Sequence, residues 1–310
     1  MSSGVYTSID ELIRLRNQAR SIDLSARRQR LSNQHGGFIS PFRGRGMEFD
    51  EVRAYQPGDD IRNMDWRVLA RTGQPHTKLF REERERPVYI MVDQSARMAF
   101  GTRVAFKSVI AARIAAILAW AGHNAGDRIG SLVFNDTARR DLRPMRGKHG
   151  VLALLNALCE IQKLPARSRP GSQPPWIDAA TRLTRLVHPG SLVIMISDFF
   201  GINREGVRFL AQMRQHNDIM MVALNDPLEE QLPPPDRYPF SNGTAVITLD
   251  TGDEDIRQRY QRYHANQRLR IENVCKRYRI CLVKVATHDA LTPALMNGLR
   301  QHHQAAGSNR

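Results

Sequence analysis

The sequence predicts an α/β protein: a mainly parallel sheet flanked by helices, with an N-terminal appendage. Three observations predict it. The run Val88 to Val92 is short, apolar and rich in β-formers, and it stops abruptly at Asp93. A second run of the same shape, Ser191 to Ser197, stops at Asp198. Such runs read as strands buried on both faces, the mark of a parallel sheet. Around them, helical patterns alternate with further apolar runs, as βαβ units with right-handed crossovers require. An aspartate at the end of a buried strand is held at the rim of the sheet, where open α/β folds bind their ligands. Asp93 and Asp198 are therefore expected to converge on one lip.

In chain order, Ser8 with Glu11 three residues on reads as a capping box, and Ile9, Leu12, Ile13 and Leu15 form the stripe of a helix within residues 8–31. The Gly- and Arg-rich stretch 32–49 reads as loop or short strand; its Gly-Arg-Gly lacks the following helix start that a phosphate cradle needs. Pro57-Gly58 marks a turn, and Asp59 or Asp60 caps a helix from Ile61 whose face carries Met64, Val68 and Leu69. Asp59, Asp60 and Asp65 could form a second cation site, but caps plus a solvated face are the favoured reading, since carboxylates are common near helix starts.

Further helices are expected over 104–121, 150–164, 176–187, 204–215 and 254–278. Strands are expected over 128–134, 219–224, 245–249 and 280–285, and Pro-rich loops over 164–175 and 226–240. This divides the chain into an N-terminal segment (1–87), the α/β domain (88–300) and a polar tail (301–310).

Composition narrows the function classes. With 310 residues, 41% apolar and 25% charged, the chain can bury a substantial core. Its net charge of +15 favours acidic partners, yet the basic residues are mixed with acids, as in 81–86, rather than blocked into a nucleic-acid tail. Nucleic-acid binding is suggested by charge alone: no motif supports it, and the aromatics, 7% of the chain, are not read as interleaved with arginines. Cys159, Cys275 and Cys281 match no metal spacing and read as reduced thiols. The longest apolar stretch, 114–121, is far below the roughly 20 residues of a spanning helix. With no signal-peptide pattern at the N-terminus, the expectation is a cytoplasmic protein without a membrane span.

The run Gly44 to Arg71 contains Arg53, Tyr55, Pro57, Gly58, Asp59, Asp60, Arg62, Asp65 and Trp66 as RxYxPGDDxRxxDW, and the strand ending in Asp93-Gln94-Ser95 follows. Linked in this way, the two motifs resemble a bacterial family known as domain of unknown function fifty-eight, well over residues 30–200 and loosely beyond. The resemblance implies a von Willebrand A-like fold. It also implies a partner, a MoxR-type AAA+ ATPase, with which members act in chaperone-like assembly or metal insertion on a client protein.

Metal-binding von Willebrand A domains carry D-x-S-x-S on one loop, a Thr on a second and an Asp on a third. Matched by position, this chain offers Asp93, Ser95 and Asp198 for Mg²⁺ or Mn²⁺, but Arg97 stands where the second Ser would be. For the Thr, Gly171-Ser172 is the nearest candidate. Two outcomes stay open. With Arg97 turned outward, the three residues hold a divalent ion whose open position awaits a partner's carboxylate. With Arg97 turned inward, it replaces the ion by pairing with Asp93 or Asp198.

The leading expectation is thus a non-catalytic interaction module acting through the rim. The alternatives are a metal-dependent phosphoryl hydrolase using Asp93 as nucleophile and a basic nucleic-acid-binding protein. Against the hydrolase, Ser95 stands where a second acid is usual, and no lysine is seen at a phosphate-clamping position.

Overall fold

A computed structural model of the chain describes residues 4–24, 47–57, 59–82, 86–164, 174–241 and 246–307. By compactness it divides into one unit formed by residues 1–24 and 86–310 and a second formed by 25–85. The first 24 residues therefore fold with the sheet rather than with the segment that follows them. Leu12, Ala19, Ile22 and Leu24 are buried in the same core as the central strands, and Arg113 reaches Glu11 at 2.6 Å.

The larger unit opens with helix α1 (Ile9–Arg14), extended by a 3₁₀ turn to Ser21. Ser8 caps it by accepting from the Glu11 N–H, while the Glu11 side chain turns to Arg113 instead of completing a capping box. The sheet is built from β3 (Pro87–Asp93), β4 (Arg128–Phe134), β5 (Arg139–Met145), β6 (Leu192–Ser197), β7 (Asp218–Asn225) and β10 (Cys281–Ala286), in the order β10-β7-β6-β3-β4-β5. All neighbours are parallel except β4 and β5. The chain thus starts at the centre, builds to one edge, and returns to the centre to build the other. This doubly wound order makes the β3/β6 boundary the switch point, where ligand crevices form in open sheets.

Both faces of the sheet are covered, which explains its uninterrupted apolar strands. Val88, Ile90 and Val92 of β3 point into a core shared with α1, α3 (Lys107–Asn124), α4 (Lys148–Ile161) and α9 (Leu291–Gly307). Tyr89 and Met91 point the other way, toward α5 (Pro175–Thr184), α6 (Arg204–Arg214) and the last turns of α8 (Glu254–Arg277). The period-two alternation of a strand divides one short sequence between two cores.

Several expectations need correction. Helix α3 starts at Lys107, not Val104, which is exposed. The antiparallel edge strand β5 was not foreseen: its sequence RRDLRPM is charged and half-exposed, as suits an edge that must not pair further. The predicted loop 226–240 contains a short helix α7 (Pro227–Glu230) and the start of β8 (Arg237–Ser241). Strand β9 (Val246–Asp250) pairs with β8 in a separate hairpin, not in the main sheet. The tail beyond residue 300 continues helix α9 to Gly307.

The unit 25–85 holds an antiparallel pair, β1 (Met47–Ala54) and β2 (His76–Glu82). Ile61 opens only a 3₁₀ turn, capped by Asp60; the α-helix, α2 (Trp66–Thr72), begins one cap later, at Asp65. Ile61 is exposed rather than on a buried face. The Gly-Arg-Gly stretch up to residue 46, Gly58 and residues 165–173 of the Pro-rich loop, Gly171-Ser172 among them, lie outside the described residues.

Candidate functional site

Parallel registry aligns Val92 of β3 with Ile196 of β6, so the two strands end side by side with Asp93 and Asp198 at their tips. The sequence-predicted pair does meet. Asp93 is buried, with both oxygens engaged: Oδ1 accepts the Ser95 N–H at 2.8 Å and Oδ2 the Ser197 hydroxyl at 2.7 Å. Burial, aided by the Asp198 charge beside it, pushes the Asp93 carboxyl up to about 6. Ser95 is likewise buried, and its loop is tied down by the Ala96 N–H, which donates to Asp136 Oδ2 at 2.6 Å.

Asp198 has a different environment. Its Oδ2 lies 3.0 Å from Lys107 Nζ and 3.4 Å from Arg97 Nε, and its Oδ1 accepts the Phe200 N–H at 3.0 Å. Burial alone would raise this carboxyl, but Lys107, Arg97 and the Phe200 N–H outweigh it and hold the group below the ordinary carboxylate range. Arg97 has turned inward, with its guanidinium 3.4 Å above the centre of the Phe200 ring and 37% of its side-chain surface exposed.

Lys107 was missed from the sequence. It heads a helix whose interior is almost wholly apolar, and its side chain is fully buried. Beyond Asp198, its ammonium reaches Glu229 Oε1 at 2.6 Å. Glu229 belongs to a capping box at α7, where its Oε2 accepts the Asp226 N–H. Asp226 in turn accepts from the Thr102 N–H and hydroxyl and from the Thr287 hydroxyl. The tips of β3, β6, β7 and β10 are thereby stitched into one polar cluster. The only sequence signal for it is a lysine opening an apolar helix; Glu229 and Asp226 lay in a stretch read as loop.

The backbone at the rim is strained. Phe199, fully buried and packed edge-on against Trp176, has φ +50°, a left-handed conformation that bulky residues rarely adopt. Its N–H donates to Ser197 Oγ, so the strained turn is held by the hydroxyl that also serves Asp93. Strain of this kind costs on the order of 1–3 kcal/mol and concentrates at functional sites.

The donor set does not fit Mg²⁺ or Mn²⁺ as placed. An ion on Asp198 Oδ2 would sit beside an ammonium and a guanidinium that already neutralise that oxygen. Both Asp93 oxygens are committed to protein donors. Hard divalent cations need several free oxygens in near-regular arrangement. Among the described residues, no three His, Cys, Asp or Glu side chains are grouped so as to hold a metal.

Residues 51–270 match the family described as "Protein of unknown function DUF58". The chain belongs to this family. Uncharacterized proteins of Mycobacterium bovis and Mycobacterium tuberculosis are 32% identical to it over 215 residues, which is 69% of this chain and 66% of theirs. The match thus spans just under two-thirds of those relatives' length. Among solved structures, the conserved hypothetical protein BatB of Bacteroides thetaiotaomicron superposes with a TM-score of 0.44 at 15% identity, covering 71% of this chain and 99% of BatB. An aerotolerance-related membrane protein of Bacteroides fragilis gives 0.42 at 13%, with the same coverage. In this chain itself, no described helix is long and apolar enough to cross a membrane.

The motif that the DUF58 chain carries in its 25–85 unit is occupied with local structure. Arg53 pairs with Asp59 at 2.8 Å, and Asp59 also accepts the Gln56 N–H. The Tyr55 N–H donates to the Pro75 carbonyl. Asp60 caps the 3₁₀ turn, with Arg62 3.9 Å away, and Asp65 caps α2 while pairing with Lys78 at 3.3 Å. The three aspartates are thus engaged as caps and ion pairs. Pro57 is exposed, and Trp66 leaves 60% of its surface exposed.

Proposed function

We propose that this DUF58 chain is a non-catalytic interaction module that presents the Asp93/Asp198 rim to a protein partner, a MoxR-type AAA+ ATPase, in assembly or maturation of a client. One observation carries the reading: the rim's carboxylates are satisfied internally. Asp93 would have to break two hydrogen bonds before it could attack a phosphoryl group, and Asp198 is neutralised by two cations. Lys107 does stand beside Asp198, where the sequence reading saw no such lysine, but it is buried and doubly paired, not open to a substrate. What stays partly open to a partner is Arg97, paired inward with Asp198 but 37% exposed on its Phe200 platform, with Tyr263 in contact with the Phe200 ring. Arginine and aromatic groups of this kind anchor protein interfaces. The partner's identity comes from the family resemblance.

The test is binding of purified chain to the MoxR-type ATPase encoded in the same genome, comparing wild type with Arg97→Ala and Phe200→Ala. A loss of at least tenfold in affinity, with the fold intact, supports the reading; unchanged affinity for both variants removes the rim from it.

A second reading is favoured by helix α8. Contrary to the sequence expectation, arginines and aromatics do interleave there, in Arg259-Tyr260-Gln261-Arg262-Tyr263. Arg259, Arg262, Tyr263, Arg270 and Arg277 are all exposed at helical spacing. Such a face suits single-stranded nucleic acid. Fluorescence anisotropy with a labelled oligonucleotide decides it: salt-sensitive binding lost in Arg262→Ala/Arg270→Ala favours this reading, and no binding at low salt retires it.

A further inference from the structure

The lysine at the rim differs from the arginine beside it, whose side chain is 37% exposed. It is fully buried, it comes from the start of a helix behind the sheet, and its ammonium sits between two carboxylates from different elements, Asp198 after β6 and Glu229 on α7. Isolated buried ammonium groups are costly and tend to lose their proton. Here burial does act against the charge, but Asp198 and Glu229 overcome it and keep the group protonated. The Phe100 ring lies nearby, with its centre 6.0 Å from Nζ. A single positive charge is thus caged at the point where two strand-end segments meet.

The cage also distributes the other charges. Arg97 takes the outer side of the same Asp198 oxygen, and Asp226, next to Glu229 in the chain, is satisfied by hydroxyl and N–H donors rather than by a cation. Glu229 is held in place by the Asp226 N–H and Asp198 by the Phe200 N–H, so the two carboxylates would keep their positions if the ammonium were taken away.

We propose that Lys107 is the resident cation of this rim: its ammonium occupies a cation position between Asp198 and Glu229, so the rim assembles without a divalent ion and becomes a divalent-ion site only when the lysine is removed. A tethered ammonium makes the arrangement permanent, since it cannot be lost to a chelator or exchanged for another metal. Truncating Lys107 to alanine would leave two largely buried carboxylates around an opened space; Arg97 would keep the outer side of the Asp198 oxygen, and a hard cation would enter on the inner side that the ammonium vacates, with waters completing its shell. The inference concerns the rim named above, but it is tested in the isolated chain. It can therefore fail while partner binding stands, and the reverse.

The experiment is Mn²⁺ binding followed by electron paramagnetic resonance, with thermal unfolding in parallel, on wild type, Lys107→Ala and Lys107→Ala/Asp198→Asn. The expected result is no Mn²⁺ uptake by wild type, a single equivalent bound by Lys107→Ala, and loss of that equivalent in the double variant. Mn²⁺ should raise the unfolding midpoint of Lys107→Ala and leave that of wild type where it was. If Lys107→Ala does not fold alone, refolding with and without Mn²⁺ reads the same difference, and recovery only with the ion supports the proposal. Wild type that binds one Mn²⁺ and loses it on Asp198→Asn overturns it. So does a Lys107→Ala chain that neither binds Mn²⁺ nor is rescued by it.

Discussion

Asp93 and Asp198 occupy equivalent strand tips, yet their protonation behaviour differs because their neighbours differ. Asp93 has hydroxyl and N–H partners and no cation among its bonded groups, and lies at about 6; Asp198 has Lys107 and Arg97 and lies below the ordinary value. The sign for Asp93 follows directly. Between the unfolded value of 3.8 and about 6, the folded chain holds a proton that the unfolded chain has released, so stability falls as pH rises through that window. At neutral pH the buried charge costs roughly 3 kcal/mol or less, at about 1.4 kcal/mol per unit. Asp93→Asn should therefore gain stability relative to wild type between about pH 4 and neutral pH, as read by urea unfolding at each pH; a pH-independent difference would refute the assignment. Lys107→Met should destabilise by about 3–5 kcal/mol, because it takes the ammonium from the largely buried Glu229 and leaves Asp198 with Arg97 alone. Adding Asp198→Asn to it should cost less than the two single losses combined, which a double-mutant cycle measures.

The aspartates were legible in the sequence because each ends a continuous apolar run. Lys107 was not, since its partners lie 91 and 122 residues away and no local pattern joins them. Arg97 was legible as an intruder in a metal motif, but its inward turn depended on Phe200, which lies beyond the second strand and offers the ring it stacks on.

At the level of elements, the same contrast holds. Strands β3 and β6 announce themselves because both faces are buried and both are apolar. Strand β5 does not, because one charged face meets solvent, and the β8–β9 hairpin was partly hidden in a proline-rich stretch. Packing of helices onto the sheet rests on close backbone approach that sequence patterns do not display. A methyl group added at Gly150, in the first turn of α4, would lie 2.6 Å from the Ile129 carbonyl oxygen and 2.9 Å from that of Met145. Both are backbone atoms and cannot swing away. Gly150→Ala should accordingly cost about 1–3 kcal/mol through overpacking, although alanine is the better helix former. A stability equal to or above wild type in chemical unfolding would show that α4 can shift without penalty.

For the whole molecule, the chain is one sheet domain with a smaller unit inserted after its first 24 residues. An amphipathic helix at the start of the sequence was legible; that it joins the sheet core, across an insertion of some sixty residues, was not, because the contacts with Arg113 and Gln162 are long-range. A two-stranded ribbon with a short helix is marginal by itself, whereas β3 and β6 sit at the centre of a covered sheet. Hydrogen exchange should therefore release the amides of β1 and β2 well before those of β3 and β6. Simultaneous exchange would mean that the two units open as one.

At the rim the chain's own lysine and arginine neutralise Asp198, the same lysine pairs with Glu229, and Asp93 is held by hydroxyl and N–H donors. The most direct test of this arrangement is a crystal soaked in Mn²⁺ and measured for anomalous scattering at the manganese edge. Lys107 Nζ is expected between Asp198 and Glu229, with no anomalous peak at the tips of β3 and β6; a manganese peak coordinated by Asp93 or Asp198 would contradict a lysine-filled rim.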